Sequence, residues 1–314
     1  MTRVLVTGAT GFLGQRCLSF LADAGFTPIA TGRQVQRAPE GFDFVPADLS
    51  DPQSLEALPS VGAVVHCAAR SAPWGRRADF ERDNVQATEN LLRWAENRGV
   101  ERFVHISTPA LYFDFQDQFD VHEDAAQAPP INLYAETKAR AERLVKASKL
   151  STVILRPRAI YGPGDTALLP RLERAIAAGP LPLLRNGRAQ TNLTHVDDVC
   201  TAIALSLKTF TNNGLYNIAG QEVIRLTSLV EQIAEFRGLK LRWRPVPAPL
   251  VFSAAQSLEL VYRLMALPGE PRFTRYSVGI FAFSLTLNTA RAKNALGWVP
   301  GVTIDQGMDS VLRI

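Results

Sequence analysis

Short apolar runs alternate with helical patterns through the first half of the chain. Each run holds three to five residues rich in Val, Ile, Leu and Phe, as is typical of strands buried on both faces of a parallel sheet. The predicted strands cover residues 4–7, 27–31, 44–46, 63–67, 103–107 and 153–155. Apolar residues at helical spacing predict helices over residues 12–24, 84–98 and 134–148. This alternation predicts a parallel sheet with right-handed crossovers and helices on both faces.

The alternation stops after Leu155, where proline-rich stretches separate the later elements. We expect residues 1–165 to form the main α/β domain, with residues 189–220 returning to it. Residues 166–188 and 221–314 are then expected to form a smaller lobe over the sheet edge.

Two apolar segments of this lobe need a separate interpretation. Pro249–Leu267 is interrupted by Glu259 and Arg263, so it predicts an amphipathic helix rather than a membrane span, and peripheral membrane contact stays open. Apolar residues alternate along Val278–Leu287, which predicts a half-buried strand. They are Phe281, Phe283, Leu285 and Leu287.

Composition narrows the class of protein only slightly. The chain has 314 residues, 46% hydrophobic residues and a net charge of +4. No basic run with interleaved aromatic residues occurs, so we expect no nucleic-acid partner. The cysteines, Cys17, Cys67 and Cys200, lie far apart, which predicts neither disulfides nor a metal site. With no signal-peptide pattern before the first strand, we expect a cytoplasmic protein.

Three glycines follow the first predicted strand and open the first predicted helix. Gly8, Gly11 and Gly14 stand three residues apart. Glycines at such a turn let the backbone approach a pyrophosphate, whose charge faces the positive end of the helix. The context predicts a Rossmann-type doubly wound sheet that binds a dinucleotide.

The end of the second strand indicates which dinucleotide binds. An acidic residue there would bind the adenosine ribose and repel a 2′-phosphate, but the chain has Gly32 followed by Arg33. This pair favours NADP(H), with NAD(H) as the alternative and Arg37 as a second candidate for the phosphate. Asp48 follows the third strand and is a candidate for the adenine amino group or for a helix N-cap.

A tyrosine and a lysine indicate the chemistry. Tyr134 and Lys138 are four residues apart and share one helix face. A phenol has a pKa of about 10. A nearby ammonium group, together with the positive nicotinamide of the oxidised cofactor, is expected to lower that pKa and make the phenol a usable acid–base group. Ser107 and Thr108 stand at the C-terminal end of a buried strand and offer a hydroxyl that could hold a carbonyl oxygen.

These features together resemble the extended short-chain dehydrogenases/reductases along nearly the whole chain. The matching segments are TGATGFLG, Asp48-Leu49, His66–Ala69, Asn84-Val85, Ser107-Thr108, YAETK, Leu155–Pro157, Tyr161–Asp165, His195–Asp198 and Leu296–Trp298. The resemblance implies a smaller C-terminal substrate-binding lobe. It also implies that the catalytic hydroxyl stands four residues before Tyr112, which makes it Thr108, with Ser107 as the alternative.

The same resemblance implies the residues that contact the cofactor. They are Gly8, Thr10, Gly11, Phe12, Leu13, Gly14, Arg33, Asp48, Leu49, Ala68, Ala69, Tyr134, Lys138 and Pro157. Segments such as Pro73–Gly75 and Leu267–Pro271 are similar to the branch that holds 3β-hydroxysteroid dehydrogenases and 2-alkyl-3-oxoalkanoate reductases. Arg158 then has two interpretations, a substrate carboxylate ligand or a member of a structural ion pair.

The sequence therefore predicts an NADP(H)-dependent oxidoreductase acting on a small hydrophobic ketone or alcohol, steroid-like or β-keto acid-like. One alternative is a nucleotide-sugar epimerase or dehydratase, although dehydratases carry an Asp-Glu pair where this chain has Pro109 and Ala110. Another is a regulatory NADP-binding protein, although such relatives typically lose the Tyr or the Lys. A homodimer is also consistent with the resemblance.

Overall fold

The structure is a computed structural model that describes residues 1–209 and 213–312. Its strands are β1 (Arg3–Thr7), β2 (Thr27–Gly32), β3 (Phe44–Pro46), β4 (Ala63–His66), β5 (Arg102–Ile106), β6 (Gln118–Val121), β7 (Ser151–Pro157), β8 (Ile160–Tyr161), β9 (Leu181–Leu183), β10 (Gln190–Asn192), β11 (Thr194–His195), β12 (Gly214–Ile218), β13 (Val223–Arg225), β14 (Trp243–Pro245) and β15 (Leu285–Leu287). Its helices are α1 (Phe12–Asp23), α2 (Arg77–Phe80), α3 (Ala87–Asn97), α4 (Leu133–Ala147), α5 (Leu168–Ala177), α6 (Val196–Lys208), α7 (Leu226–Phe236), α8 (Ala248–Leu264), α9 (Arg275–Ala282), α10 (Ala290–Leu296) and α11 (Ile304–Leu312).

A seven-stranded parallel sheet forms the centre of the molecule. The strand order is β12-β7-β5-β4-β1-β2-β3, and each neighbouring pair is parallel. The order reverses between β1 and β4, which creates the crevice where open α/β sheets bind ligands. This topology confirms the predicted Rossmann-type doubly wound fold.

Helices cover both faces of the sheet because its strands are apolar on both sides. In β1, Val4 and Val6 pack into the core under α1 and α6, whereas Leu5 packs into the core under α3 and α4. All three side chains are fully buried. Continuous apolar strands of this kind hold the carboxyl ends of the parallel strands in one row.

The predicted elements of the first half are present, with ends that differ by one or two residues. One difference is larger, because a π-helical turn, Glu81–Gln86, precedes α3 where the sequence predicted a single helix. The predicted strand over Val278–Leu287 is wrong in its first half. There the capping box of Thr274 and Ser277 starts α9, and only Leu285–Leu287 is a strand.

A second, four-stranded sheet has the order β13-β10-β15-β6, and it combines β6 from the first half of the chain with three later strands. A separate apolar core lies between α5 and α7. The returning segment supplies β12 to the main sheet and packs α6 against it, whereas its β10 belongs to the smaller sheet; the domain boundaries stay a prediction. Of the side chains of α8, only Ala255 is buried. None of the helices within residues 1–209 and 213–312 is long and apolar enough to cross a bilayer.

Candidate active site

The glycine loop joins β1 to α1 at the crevice between β1 and β4. Gly8 has a φ of +65°, and a Cβ atom there would lie 2.8 Å from the backbone of Ala68. A Cβ at Gly14 would collide with the carbonyl oxygen of Gly8. Gly11 is the N-cap of α1 and provides no side-chain cap, so the first N–H groups of the helix stay open to an anion. This cradle fits a dinucleotide pyrophosphate.

The second strand ends beside this loop in residues that carry no negative charge. A Cβ at Gly32 would lie 3.2 Å from the Thr10 side chain, so a larger residue would crowd the loop. The Arg33 side chain is 54% exposed and reaches Asp83 only at 3.4 Å. Asp83 lies closer to Arg70, at 3.0 Å, and Arg82, at 2.9 Å. The Arg33 guanidinium is therefore weakly held at the strand end.

The Asp48 carboxylate stabilises its own turn after β3. Its Oδ1 atom accepts hydrogen bonds from the Ser50 backbone N–H at 3.0 Å and from the Ser50 hydroxyl at 2.7 Å. Burial raises the pKa of Asp48, but these hydrogen bonds, together with the charges of Arg33 and Arg82, lower the pKa overall. The following short helix begins at Ser54 with Gln53 as its N-cap, so the alternative N-cap role of Asp48 is wrong.

Thr108 and Tyr134 meet at the carboxyl end of β5. Thr108 caps a short turn, where its hydroxyl oxygen accepts the Ala110 N–H at 3.2 Å. Asn132 accepts the Ala135 N–H at 2.8 Å and thereby starts α4, which presents Tyr134 in its first turn. Burial raises the pKa of Tyr134 to about 12, a hydrogen bond from Thr108 acts in the opposite direction, and Tyr276 adds to the rise.

Ser107 points to a different partner. Its hydroxyl donates to Glu142 at 2.6 Å, and Glu142 is paired with Arg156 at 2.5 Å in the interior. Both members of that pair are 1% exposed. The structure therefore brings Thr108, and not Ser107, to the Tyr134 hydroxyl.

Lys138 lies one turn along α4 and is almost fully buried. Its ammonium donates to the Ile106 carbonyl oxygen at 2.6 Å and to His105 Nε2 at 3.1 Å. Burial lowers the pKa of Lys138 to about 8, with a partial opposing effect of Glu142. Burial of the phenol dominates the pKa of Tyr134 in this structure, and the lowered pKa that the sequence predicts beside Lys138 and the oxidised cofactor stays a prediction.

Sequence reasoning missed two residues of this site, His105 and Tyr276. His105 interrupts the apolar run of β5 and is fully buried, and such a polar interruption signals a partner in the interior. Its burial, together with the charge on Lys138, holds the pKa well below the usual range, so the imidazole is neutral and accepts from Lys138. Tyr276 comes from α9, far along the chain, and no local pattern connects it to Tyr134.

The remaining predicted cofactor contacts lie along the same edge of the sheet. Leu49 follows β3, Ala68 and Ala69 follow β4, and Pro157 ends β7. Phe12 and Leu13 are half-buried in the first turn of α1. His66 ends β4, where its two ring nitrogens contact the hydroxyls of Thr7 at 2.8 Å and Thr88 at 3.0 Å. This is the structural role that its position suggests.

Comparison with known proteins agrees with this arrangement. Residues 4–219 match the family described as the NAD dependent epimerase/dehydratase family. The 2-alkyl-3-oxoalkanoate reductase of Stenotrophomonas maltophilia is 31% identical, over 98% of this chain and 97% of the relative. The 4-hydroxy-2-methyl-3-oxo-4-farnesyl-3,4-dihydroquinoline-1-oxide ketoreductase of Stigmatella aurantiaca is 30% identical, over 98% of this chain and 95% of the relative.

Among solved structures, MoeE5 in complex with UDP-glucuronic acid and NAD superposes with a TM-score of 0.78. It is 24% identical, and the superposition covers 99% of this chain and 98% of that chain. This likeness shows the fold alone. The same family is indicated by the glycine loop, by Tyr134 and Lys138 of α4, and by the match to the family over residues 4–219. The chain belongs to the NAD dependent epimerase/dehydratase family, the extended short-chain dehydrogenases/reductases, and is an NAD(P)-dependent dehydrogenase/reductase.

Proposed function

We propose that this protein is an NADP(H)-dependent oxidoreductase that interconverts a ketone and a secondary alcohol on a hydrophobic substrate, steroid-like or β-keto acid-like. The observation that carries the proposal is the proximity of the Thr108 hydroxyl to Tyr134, close enough to lower its pKa, one turn from Lys138 and at the same sheet edge as the glycine loop. The reductase and ketoreductase among its relatives support the reaction class.

The residues at this edge divide into those that hold the cofactor and those that act on the substrate. We assign the pyrophosphate to the loop of Gly8, Gly11 and Gly14, and the 2′-phosphate to Arg33. The adenine amino group is assigned to Asp48. The other proposed contacts are Thr10, Phe12, Leu13, Leu49, Ala68, Ala69 and Pro157. When bound, the cofactor supplies the hydride that the carbonyl carbon receives.

Three side chains then act on the carbonyl oxygen. Thr108 holds the oxygen by hydrogen bonding, and Tyr134 donates its phenolic proton to it. Because the pKa of Tyr134 is about 12, the phenol is protonated at neutral pH and ready to donate. Lys138 holds the nicotinamide ribose, and its positive charge stabilises the phenolate that remains after the transfer.

The test is NADPH oxidation by purified protein, followed by absorbance. The substrates are a 3-ketosteroid, a 2-alkyl-3-oxo acid, an aromatic ketone and a keto-sugar nucleotide. Oxidation with an apolar ketone or oxo acid is the expected result. Conversion of a nucleotide sugar without net cofactor turnover would overturn the proposal in favour of an epimerase, and bound NADPH with no turnover of any compound would favour a regulatory protein.

We expect Arg33→Ala to reduce the preference for NADPH over NADH by roughly 10- to 100-fold, since it removes a charge-assisted contact to the 2′-phosphate. The change should appear in kcat/KM for NADPH, while kcat/KM for NADH is retained. Arg93→Ala, which removes an exposed arginine of α3, is the matched control. An unchanged preference in the Arg33 variant would show that the phosphate binds elsewhere.

The rate of ketone reduction should fall as the pH rises through about 8, the pKa of Lys138. Below that pH the lysine carries its charge and Tyr134 keeps its proton, so we expect kcat/KM to be level from about pH 6 to 7. Above it, kcat/KM should decline by up to about tenfold per pH unit. Initial rates across this range, with circular dichroism at each pH to verify the fold, check the prediction. A rate that rises with pH would contradict it.

A further inference from the structure

Arg158 is a buried arginine at the carboxyl end of the sheet. It directly follows β7, whose neighbour β5 ends next to Thr108. Its backbone is fixed on both sides, because its N–H donates to Ile218 O at 2.9 Å and its carbonyl accepts the Thr194 hydroxyl. The side chain is 8% exposed, and its Nε donates to the Thr191 hydroxyl at 3.0 Å.

Among the residues that the structure describes, no carboxylate oxygen lies within 4.0 Å of this guanidinium, so its charge has no ionic partner there. Two other well-covered arginines have such a partner, since Arg156 pairs with Glu142 and Arg185 pairs with Asp117. Burial lowers the pKa of Arg158. The structural ion pair that the sequence offered as an interpretation is therefore wrong, and a buried charge without a partner is costly.

Arg158 shares a neighbour with the catalytic phenol. Tyr276 lies close enough to Arg158 for the guanidinium to act on its pKa, and Tyr276 in turn raises the pKa of Tyr134. The ring of Tyr276 also contacts Phe113 edge to face, with 6.2 Å between ring centroids. Arg158 thus shares the neighbour Tyr276 with Tyr134, at the carboxyl end of the sheet where β5 and β7 lie side by side.

We propose that Arg158 binds a carboxylate of the substrate, so that the preferred substrate is an oxo acid whose carboxylate lies near its keto group. This inference rests on the proposed reductase function. The two terminal nitrogens present the planar fork that a carboxylate matches. A single carboxylate also balances the single buried charge, whereas a phosphate dianion would leave one charge uncompensated among apolar rings.

The test compares a freshly hydrolysed 2-alkyl-3-oxo acid with its methyl ester as substrates for NADPH oxidation. We expect the native enzyme to prefer the acid by roughly 30-fold or more in kcat/KM. Arg158→Met should remove that preference by slowing the acid alone, and Arg158→Lys should restore part of it. Arg174→Met, which removes an exposed arginine of α5, is the control and should keep the preference.

Two further measurements separate this role from others. Arg158→Met should unfold at the same or a higher temperature, because it removes an uncompensated buried charge and Thr191 keeps its bond to Asn192 O. A lower unfolding temperature, or a raised KM for NADPH, would overturn the inference in favour of a structural or a cofactor role. Equal rates for acid and ester in the native enzyme would overturn it while leaving the reductase proposal intact.

A binding arm keeps the inference testable if the proposed reaction fails. An unreactive 2-alkyl carboxylate, added in the presence of NADPH, should raise the unfolding temperature of the native protein but not that of Arg158→Met. No shift in the native protein would overturn the anion site. If this shift occurs but no ketone of any kind is reduced, the proposed function fails and the anion site stands.

Discussion

Replacing Tyr134 by Phe is expected to lower kcat for ketone reduction by about 1000-fold, because it removes the proton donor and leaves the ring in place. Affinity for NADPH should stay within about twofold, since none of the contacts assigned to the pyrophosphate or the 2′-phosphate is changed. Steady-state rates give the first quantity and quenching of protein fluorescence by NADPH gives the second.

The control for this variant is Tyr216→Phe. This change also removes a phenolic hydroxyl, but from a buried tyrosine on β12 in the core under α6. The variant should retain nearly the full rate. Thr108→Val offers a graded comparison, because loss of the hydroxyl that holds the carbonyl oxygen should slow the reaction by less than loss of the donor. Turnover near the native rate in Tyr134→Phe would disprove the proposed mechanism.

The sequence predicts the parts of this site that depend on local spacing. Gly8 and Gly14 stand where a Cβ atom would clash with the backbone, Gly11 follows at the same spacing, and Tyr134 and Lys138 are one helical turn apart. The apolar runs predict the sheet for the same reason, since burial on both faces leaves few other arrangements. Each of these inferences needs only residues that are near in the chain.

The parts that the sequence does not predict depend on distant contacts. Lys138 contacts His105 on another element, and the raised pKa of Tyr134 results from burial, with Tyr276 adding to the rise. Whether Arg158 has an ionic partner also depends on which side chains surround it in space. Alternation of Phe281 and Phe283 indicated a strand, but the capping box at Thr274 made this segment helical.

The buried pair of Glu142 and Arg156 joins the catalytic helix to the sheet and carries the second large prediction. Two hydrogen bonds connect the side chains, from Arg156 Nε to Glu142 Oε1 at 2.7 Å and from its terminal nitrogen to Oε2 at 2.5 Å. Burial alone would raise the pKa of Glu142, but Arg156, with smaller contributions from Ser107 and Lys146, lowers it overall. The same arginine lies over the Tyr112 ring, 4.7 Å from its centroid.

Glu142→Gln should therefore lower the free energy of unfolding by about 3–5 kcal/mol, because it leaves the Arg156 charge buried without a counterion. Adding Arg156→Met should recover most of that loss, since Gln can still accept the hydrogen bond from Ser107. Glu89→Gln, in the exposed pair with Arg93, should cost less than about 0.5 kcal/mol and is the control. Urea denaturation of the three variants and the native chain measures these values.

The same variants also report on the active site, because Glu142 raises the pKa of Lys138. Removing its charge should lower that pKa further and move the alkaline decline of ketone reduction below pH 8. A purely structural role for the pair would change stability and leave the pH profile where it is. If the Glu142→Gln variant has the same free energy of unfolding as the native chain, another group must neutralise the Arg156 charge.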